Sequence, residues 1–269
     1  MSATELVMRF MGVTRKYWDE MAGRGPDRSV MDHNDRRGHK NKYLTYIRDN
    51  AIQNALKEIP AQTAILDFGC GTGNLLRMLC NRGYHPVGVD ISFDLLRHAC
   101  RFKKNDGLLV QYDGEHLPFP SNFFNACVTH EVLIHLTDDE LLNQCLKEIN
   151  RVLKPGGLFI AVEQTRRKRV FKKKDMKLQR SVEEFLHLLK SAGFSNRRNM
   201  IIRRGHFPLI YLIRYGLIPD VLFPYVGMLE SFFGKVFKTP IFDYANMIFV
   251  AEKSSVVQGG CHDSEGGLN

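Results

Sequence analysis

The sequence predicts an α/β fold, with a mainly parallel sheet covered by helices on both faces. Three observations support this. From residue 63 onward, short apolar runs alternate with stretches of helical periodicity. The first run, "TAILDFG" (63–69), leads into Gly69, Gly71 and Gly73 at every second position. The second and third runs close on acids, Asp90 and Asp113. In open sheets of this kind, ligands bind beyond the carboxyl ends of the strands, where strand order reverses.

The elements follow in order. "TAILDFG" reads as a buried strand. "NLLRMLCNRG" (74–83) reads as a helix closed by Gly83. "HPVGVDIS" is a second strand and "FDLLRHACRFKK" a second helix, and "GLLVQYDG" and "NACVTHEV" (125–132) are strands three and four. Thr137 and Glu140 have the spacing of a capping box. The helix behind them carries Leu141, Leu142, Cys145, Leu146, Ile149, Val152 and Leu153 at the 3.6-residue period. "KPGG" (154–157) ends that helix and "LFIAVEQ" is strand five. A second capping box, Ser181 with Glu184, opens "SVEEFLHLLKSAGF", and "NMIIRRG" and "YANMIFVAEK" are the final strands.

Residues 1–58 are expected to form an N-terminal helical cap and 59–253 the ligand-binding domain. That domain carries a basic loop (165–180) and an apolar insertion (206–241), and 254–269 is expected to be a disordered tail. With 44% hydrophobic and 25% charged residues over 269 positions, the composition is that of a soluble globular chain. The six cysteines lack CxxC spacing and fall mostly in apolar segments, which suits core thiols in a reducing compartment. No secretory signal is expected at the N-terminus, and no run approaches the roughly 20 apolar residues of a membrane span. The expected location is cytoplasmic, with peripheral contact at a membrane.

Glycine allows a sharp turn and lets a ligand touch the backbone. The dinucleotide pattern GxGxxG would need glycine at Asn74, and no P-loop Lys-Ser/Thr is present. The spacing is DxGxGxG, with Asp67 inside the strand. Asp90 closes strand two at a distance where a carboxylate accepts both hydroxyls of a ribose. Asp113, with Gly114 beside it, is placed to accept from an adenine amine.

"ILDFGCGTGNLL", "VGVDIS", "YDGEHLPFP", "NACVTHEVLIHL" and "INRVLKPGGLFIAVEQ", in this order, resemble the class I S-adenosylmethionine-dependent methyltransferases. They are similar in particular to the ubiquinone and menaquinone-pathway group. The resemblance covers about residues 60–195. It implies a Rossmann-like seven-stranded sheet whose last strand is antiparallel. It also implies that Asp67, Gly69, Cys70, Gly71 and Gly73 hold the methionine part of S-adenosylmethionine. Asp90 and Ile91 would hold the ribose, Asp113 and Gly114 the adenine edge, and His130 would line the donor site.

Methyl transfer from a sulfonium is an in-line displacement in which the protein aligns the nucleophile and excludes water. The segment "THEVLIHL" (129–136) follows strand four, so His135, His130 and Glu131 are the candidate bases. Packing or capping roles are the alternatives for each. Ile134 stands where related metal sites place a second acid, so no metal is expected. No CxxxCxxC triplet supports radical chemistry, and the Asn/Asp-Pro-Pro-aromatic signature of base-amine methylation is absent.

The additions to the core are expected to choose the acceptor. Tyr17 and Trp18 resemble the aromatic cover over the donor, with plain helix packing as the alternative. The insertion is apolar and aromatic but broken by Arg214, Asp220 and prolines, which suits a lid or a membrane-surface patch. The run 166–180 holds nine bases and one acid out of a net charge of +9. It reads as a solvated loop or as a contact for anionic lipid, lipid-linked glycan or RNA. The expected acceptor is a small-molecule, sugar or lipid-linked oxygen. An RNA substrate or a non-catalytic donor-binding subunit remains as an alternative.

Overall fold

The computed structural model describes residues 3–25, 32, 35–101, 107–205, 207–236 and 244–254. Cys261, the tail from 255, residues 102–104 of the second expected helix, and His206 and 237–241 of the insertion lie outside the described residues.

Among the described residues, helices α1 (Ala3–Ala22) and α2 (His39–Ala55) precede the first strand. The sheet elements then follow as β1 (Ala64–Phe68), α3 (Asn74–Asn81), β2 (His85–Asp90), α4 (Phe93–Cys100), β3 (Leu108–Gln111) and β4 (Phe124–His130). Next come a 3-10 turn (Leu133–His135), α5 (Asp139–Val152) and β5 (Leu153–Arg166). A hairpin, β6 (Val170–Lys172) and β7 (Lys177–Gln179), precedes α6 (Val182–Ser191) and β8 (Phe194–Arg204). The insertion supplies α7 (Leu209–Arg214) and α8 (Phe223–Val236), and β9 (Tyr244–Lys253) ends the described chain.

The seven-stranded sheet has the order β3-β2-β1-β4-β5-β9-β8, with β6 and β7 pairing separately. Strands β1 to β5 run parallel to one another, whereas β9 runs antiparallel to both β5 and β8. The strand order reverses between β1 and β4, which opens a crevice at their carboxyl ends.

Alternation divides the core. Leu66, Cys127, Phe159 and Phe249 face α5 and α6, where Leu146, Ile149 and Phe185 meet them. Ile65, Val128, Ile160 and Ile248 face the other way, against Ile52 of α2 and Leu79 of α3. A third cluster joins Tyr43 of α2 to Ile210, Ile213, Phe223 and Val226, so the insertion packs on the N-terminal cap.

Gly83 at φ 77° closes α3, with its amide on Cys80 O and the Tyr84 amide on Leu79 O. The Ser181–Glu184 capping box forms as expected. The Thr137 box does not. Asp138 caps α5 instead, accepting from the amides of Glu140 (2.8 Å) and Leu141 (3.1 Å), because a carboxylate one residue later reaches the same free amides. "KPGG" is not a break before strand five. The ladder passes from Phe124–Leu153 to Ala126–Leu158, so Lys154–Gly157 loop out as a bulge within β5.

Candidate active site

One cavity of about 700 Å³ lies at the switch in strand order. One end of it is built from β1, β2 and the turn between β1 and α3. Gly69 and Gly71 take φ 72° and 53°, the left-handed region where a side chain strains the backbone. A Cβ on Gly69 would also lie 2.4 Å from Val132 Cγ2. The amides of Gly69 and Cys70 both donate to Val89 O at 2.9 Å. Asp90 ties the loop to β2, with Oδ2 accepting from the Gly71 amide (2.9 Å) and Oδ1 from the Ser92 amide (2.9 Å). Ser92 Oγ in turn donates to Asp19 Oδ1 (2.5 Å), which fastens α1 over the crevice.

Asp67 lines the cavity, and its buried Oδ2 makes no hydrogen bond. Burial pushes its carboxyl up to about 7, against the pull of Arg48. Burial likewise pushes Asp90 up to about 6, although backbone amides oppose it. Arg48 of α2 also lines the cavity and is 6% exposed. Its Nε donates to Asp49 Oδ1 at 2.7 Å, while its buried Nη2 makes no hydrogen bond despite an ion-pair distance of 2.6 Å. A carboxylate oxygen without a hydrogen bond, in the field of a buried guanidinium that is ion-paired on one side to Asp49, fits the zwitterion of an amino acid.

The other end carries the candidate bases. His130 ends β4, and Glu131 sits at φ 52°. Glu131 Oε1 accepts from Gln164 Nε2 and Asn246 Nδ2, both at 2.9 Å, and Lys177 Nζ lies 3.7 Å from Oε2. Burial would raise its carboxyl, but Lys177, His130 and the two amides hold it well below the usual range. Burial, with Arg48 and Lys177 nearby, pushes His130 down. His135 is pushed down to about 3 by burial and Lys177. Its Nδ1 donates to Met176 O (3.1 Å), and the Trp18 ring meets it edge-on at 4.8 Å. The turn bearing His135 is held by Glu163, whose oxygens accept from the amides of Val132, Leu133 and Ile134 at 3.0–3.2 Å.

The cavity thus gathers Asp67, Gly69, Cys70, Gly71, Asp90, Ile91, His130, Glu131 and His135, with Tyr17 and Trp18 on its wall. It does not gather Gly73, which caps α3, or Asp113 and Gly114. Asp113 is exposed, and its Oδ1 accepts from the amides of Glu115 (2.7 Å) and His116 (2.8 Å), so it shapes its own loop. Tyr112 lines the cavity beside it. The basic run is not one solvated loop. Lys177 lines the cavity, while buried Arg180 donates to Leu136 O (2.7 Å) and Asp139 (2.8 Å). Arg48, Glu163, Arg203 and Asn246 escaped sequence reasoning. Only Glu163 left a signal, as an acid inside the apolar run "LFIAVEQ".

Residues 66–161 match the family model described as a methyltransferase domain. Over these residues the chain is similar to the class I S-adenosylmethionine-dependent methyltransferases. S-adenosylmethionine is the cofactor of this family, and Asp67, Arg48 and Asp90 have the donor and acceptor chemistry it needs. The rat mitochondrial ubiquinone biosynthesis O-methyltransferase is 32% identical over 166 residues, covering 57% of this chain and 45% of the rat enzyme. An Arabidopsis thaliana tRNA (carboxymethyluridine(34)-5-O)-methyltransferase is 33% identical over 105 residues, covering 39% of this chain and 25% of that enzyme. The chain therefore spans less than half the length of these curated relatives. A Haemonchus contortus phosphoethanolamine N-methyltransferase with bound S-adenosylmethionine shares its fold, at TM-score 0.58 and 18% identity over 83% of this chain and 59% of that chain.

Proposed function

We propose that the protein transfers a methyl group from S-adenosylmethionine, by direct in-line displacement, to an oxygen of a small-molecule or lipid-linked acceptor. The observation that supports this is the continuity of the cavity from Asp67 and Asp90 to His130, Glu131, His135 and Lys177. S-adenosylmethionine supplies a methyl group already activated by the sulfonium charge. Asp67 receives the ammonium and Arg48 the carboxylate of its amino-acid part, and the free lone pairs of Asp90 receive the ribose. Trp18 and His135 close the wall and exclude water.

His130 and His135 are neutral at pH 7 and weakly basic, and Glu131 is weaker still. Such a site suits an acceptor oxygen that ionises readily by itself rather than an alkyl alcohol. The lipid reading draws on the insertion. Tyr215, Leu217, Val221, Tyr225, Met228 and Phe232 are each at least 61% exposed. So many large apolar side chains exposed on one insertion suit an interaction surface. Exposed Arg37 borders it, its Nη1 donating to Tyr215 O (3.2 Å), which matches an anionic lipid surface.

The test is incubation of the protein with cell extract and methyl-labelled S-adenosylmethionine. Label in an organic-soluble or small-molecule product is the expected result. Label in RNA alone would overturn the acceptor assignment in favour of a nucleic acid.

A further inference from the structure

We propose that Arg203 and Lys177 form an anion subsite, so that the acceptor carries a carboxylate or phosphate group on an apolar body. The inference rests on the reading that the opposite end of the same cavity takes the donor.

Arg203 reaches the cavity through an irregularity in the sheet. The β8–β9 register slips between Ile201–Met247 and Arg203–Asn246, so the chain advances two residues on β8 for one on β9. Such a bulge re-aims the side chain that follows it. Arg203 is 5% exposed and lines the cavity.

Its charge is incompletely answered. Glu230 of α8 lies nearest, with Oε1 at 3.7 Å from Arg203 Nε. That carboxylate is already engaged, since Oε2 accepts from Tyr43 Oη (2.9 Å) and Oε1 from the Arg204 amide (3.0 Å). Arg203 Nε is buried and makes no hydrogen bond. Burial also pushes the Glu230 carboxyl up, which weakens it as a counterion. A buried guanidinium whose Nε donor is unmet is costly until an anion arrives.

A second cation stands along the same row. Asn246, the ladder partner of Arg203, gives its Nδ2 to Glu131, and Lys177 lies across Glu131 at 3.7 Å. Lys177 keeps 26% of its side chain exposed, so it can turn towards an incoming anion. Leu44, Ile47, Ile202 and Tyr244 line the cavity as well, which gives an apolar body its contacts.

The test titrates the protein, with and without saturating S-adenosylhomocysteine, and follows the emission of Trp18, the single tryptophan. The probes are octanoate, octyl phosphate, octanol and octyltrimethylammonium, with acetate and inorganic phosphate as headgroup-only controls. Both octyl anions are expected to bind at least about tenfold more tightly than octanol, from charge-assisted hydrogen bonds. The tighter of the two identifies the headgroup. Arg203→Gln is expected to abolish the advantage, while S-adenosylhomocysteine affinity stays within about twofold and Arg203→Lys restores part of it. If Arg203→Gln does not fold, Lys177→Gln carries the same comparison with a smaller loss. Equal binding of octanol and the anions, or undiminished anion binding in a folded Arg203→Gln protein, would overturn the subsite. A protein that selects the anions but ignores S-adenosylhomocysteine would keep the subsite and sink the donor assignment.

Discussion

Lowering the pH from 8 to 5 is expected to weaken donor binding by about three orders of magnitude. Without ligand, burial holds the Asp67 carboxyl at about 7 and the Asp90 carboxyl at about 6. Only the ionised forms attract the donor's ammonium and accept its hydroxyls. At pH 5, Asp67 is about 1% ionised, which costs about a hundredfold in affinity, and Asp90 adds about tenfold. Together this is about 4 kcal/mol, at about 1.4 kcal/mol per pH unit below each value. Titration calorimetry with S-adenosylhomocysteine from pH 5 to 8 measures it directly. Asp67→Asn is expected to bind about 1–3 kcal/mol more weakly at pH 8. It also removes the steeper part of the pH dependence, leaving about the tenfold of Asp90. A dissociation constant flat within about threefold from pH 8 to 5 would refute the role of these acids, as would an Asp67→Asn protein with an unchanged slope.

The remaining expectations concern the supports of the site. Asp90→Ala releases the Gly71 and Ser92 amides as well as the ribose contact, and donor affinity is expected to fall by about 1–3 kcal/mol in calorimetry. Gly69→Ala combines a positive φ with a clash against Val132, and chemical denaturation is expected to show about 2–3 kcal/mol of lost stability. Burial pushes the Glu163 carboxyl up to about 8. Between its unfolded value near 4.5 and this folded value, the folded state binds the more protons, so the Glu163 contribution to stability is lost as pH rises through that window. Thermal unfolding at pH 5, 6.5 and 8 is expected to show that decline, reduced in Glu163→Gln. Replacing exposed Tyr215 and Tyr225 by serine is expected to reduce sedimentation with anionic liposomes severalfold while leaving S-adenosylhomocysteine binding intact.

The sequence by itself determined the layered sheet, the glycine turn and the acids Asp67 and Asp90 beside that turn. Those features are local or periodic. Apolar alternation sets each strand's two faces, Asp67 lies one residue before the end of β1, and Asp90 closes β2. The same local logic read Asp113 as a third such acid, whereas its carboxylate folds back on its own turn. Only the tertiary structure decided which distant charges share the cavity. Arg48 arrives from the cap, Lys177 from a hairpin inside what looked like a charge run, and Arg203 through a register slip between strands. No spacing rule links such positions, because their approach follows from how the cap, the hairpin and the sheet edge pack around one crevice. The unmet hydrogen bonds of Arg48 and Arg203 arise from that shared burial, which no single segment carries.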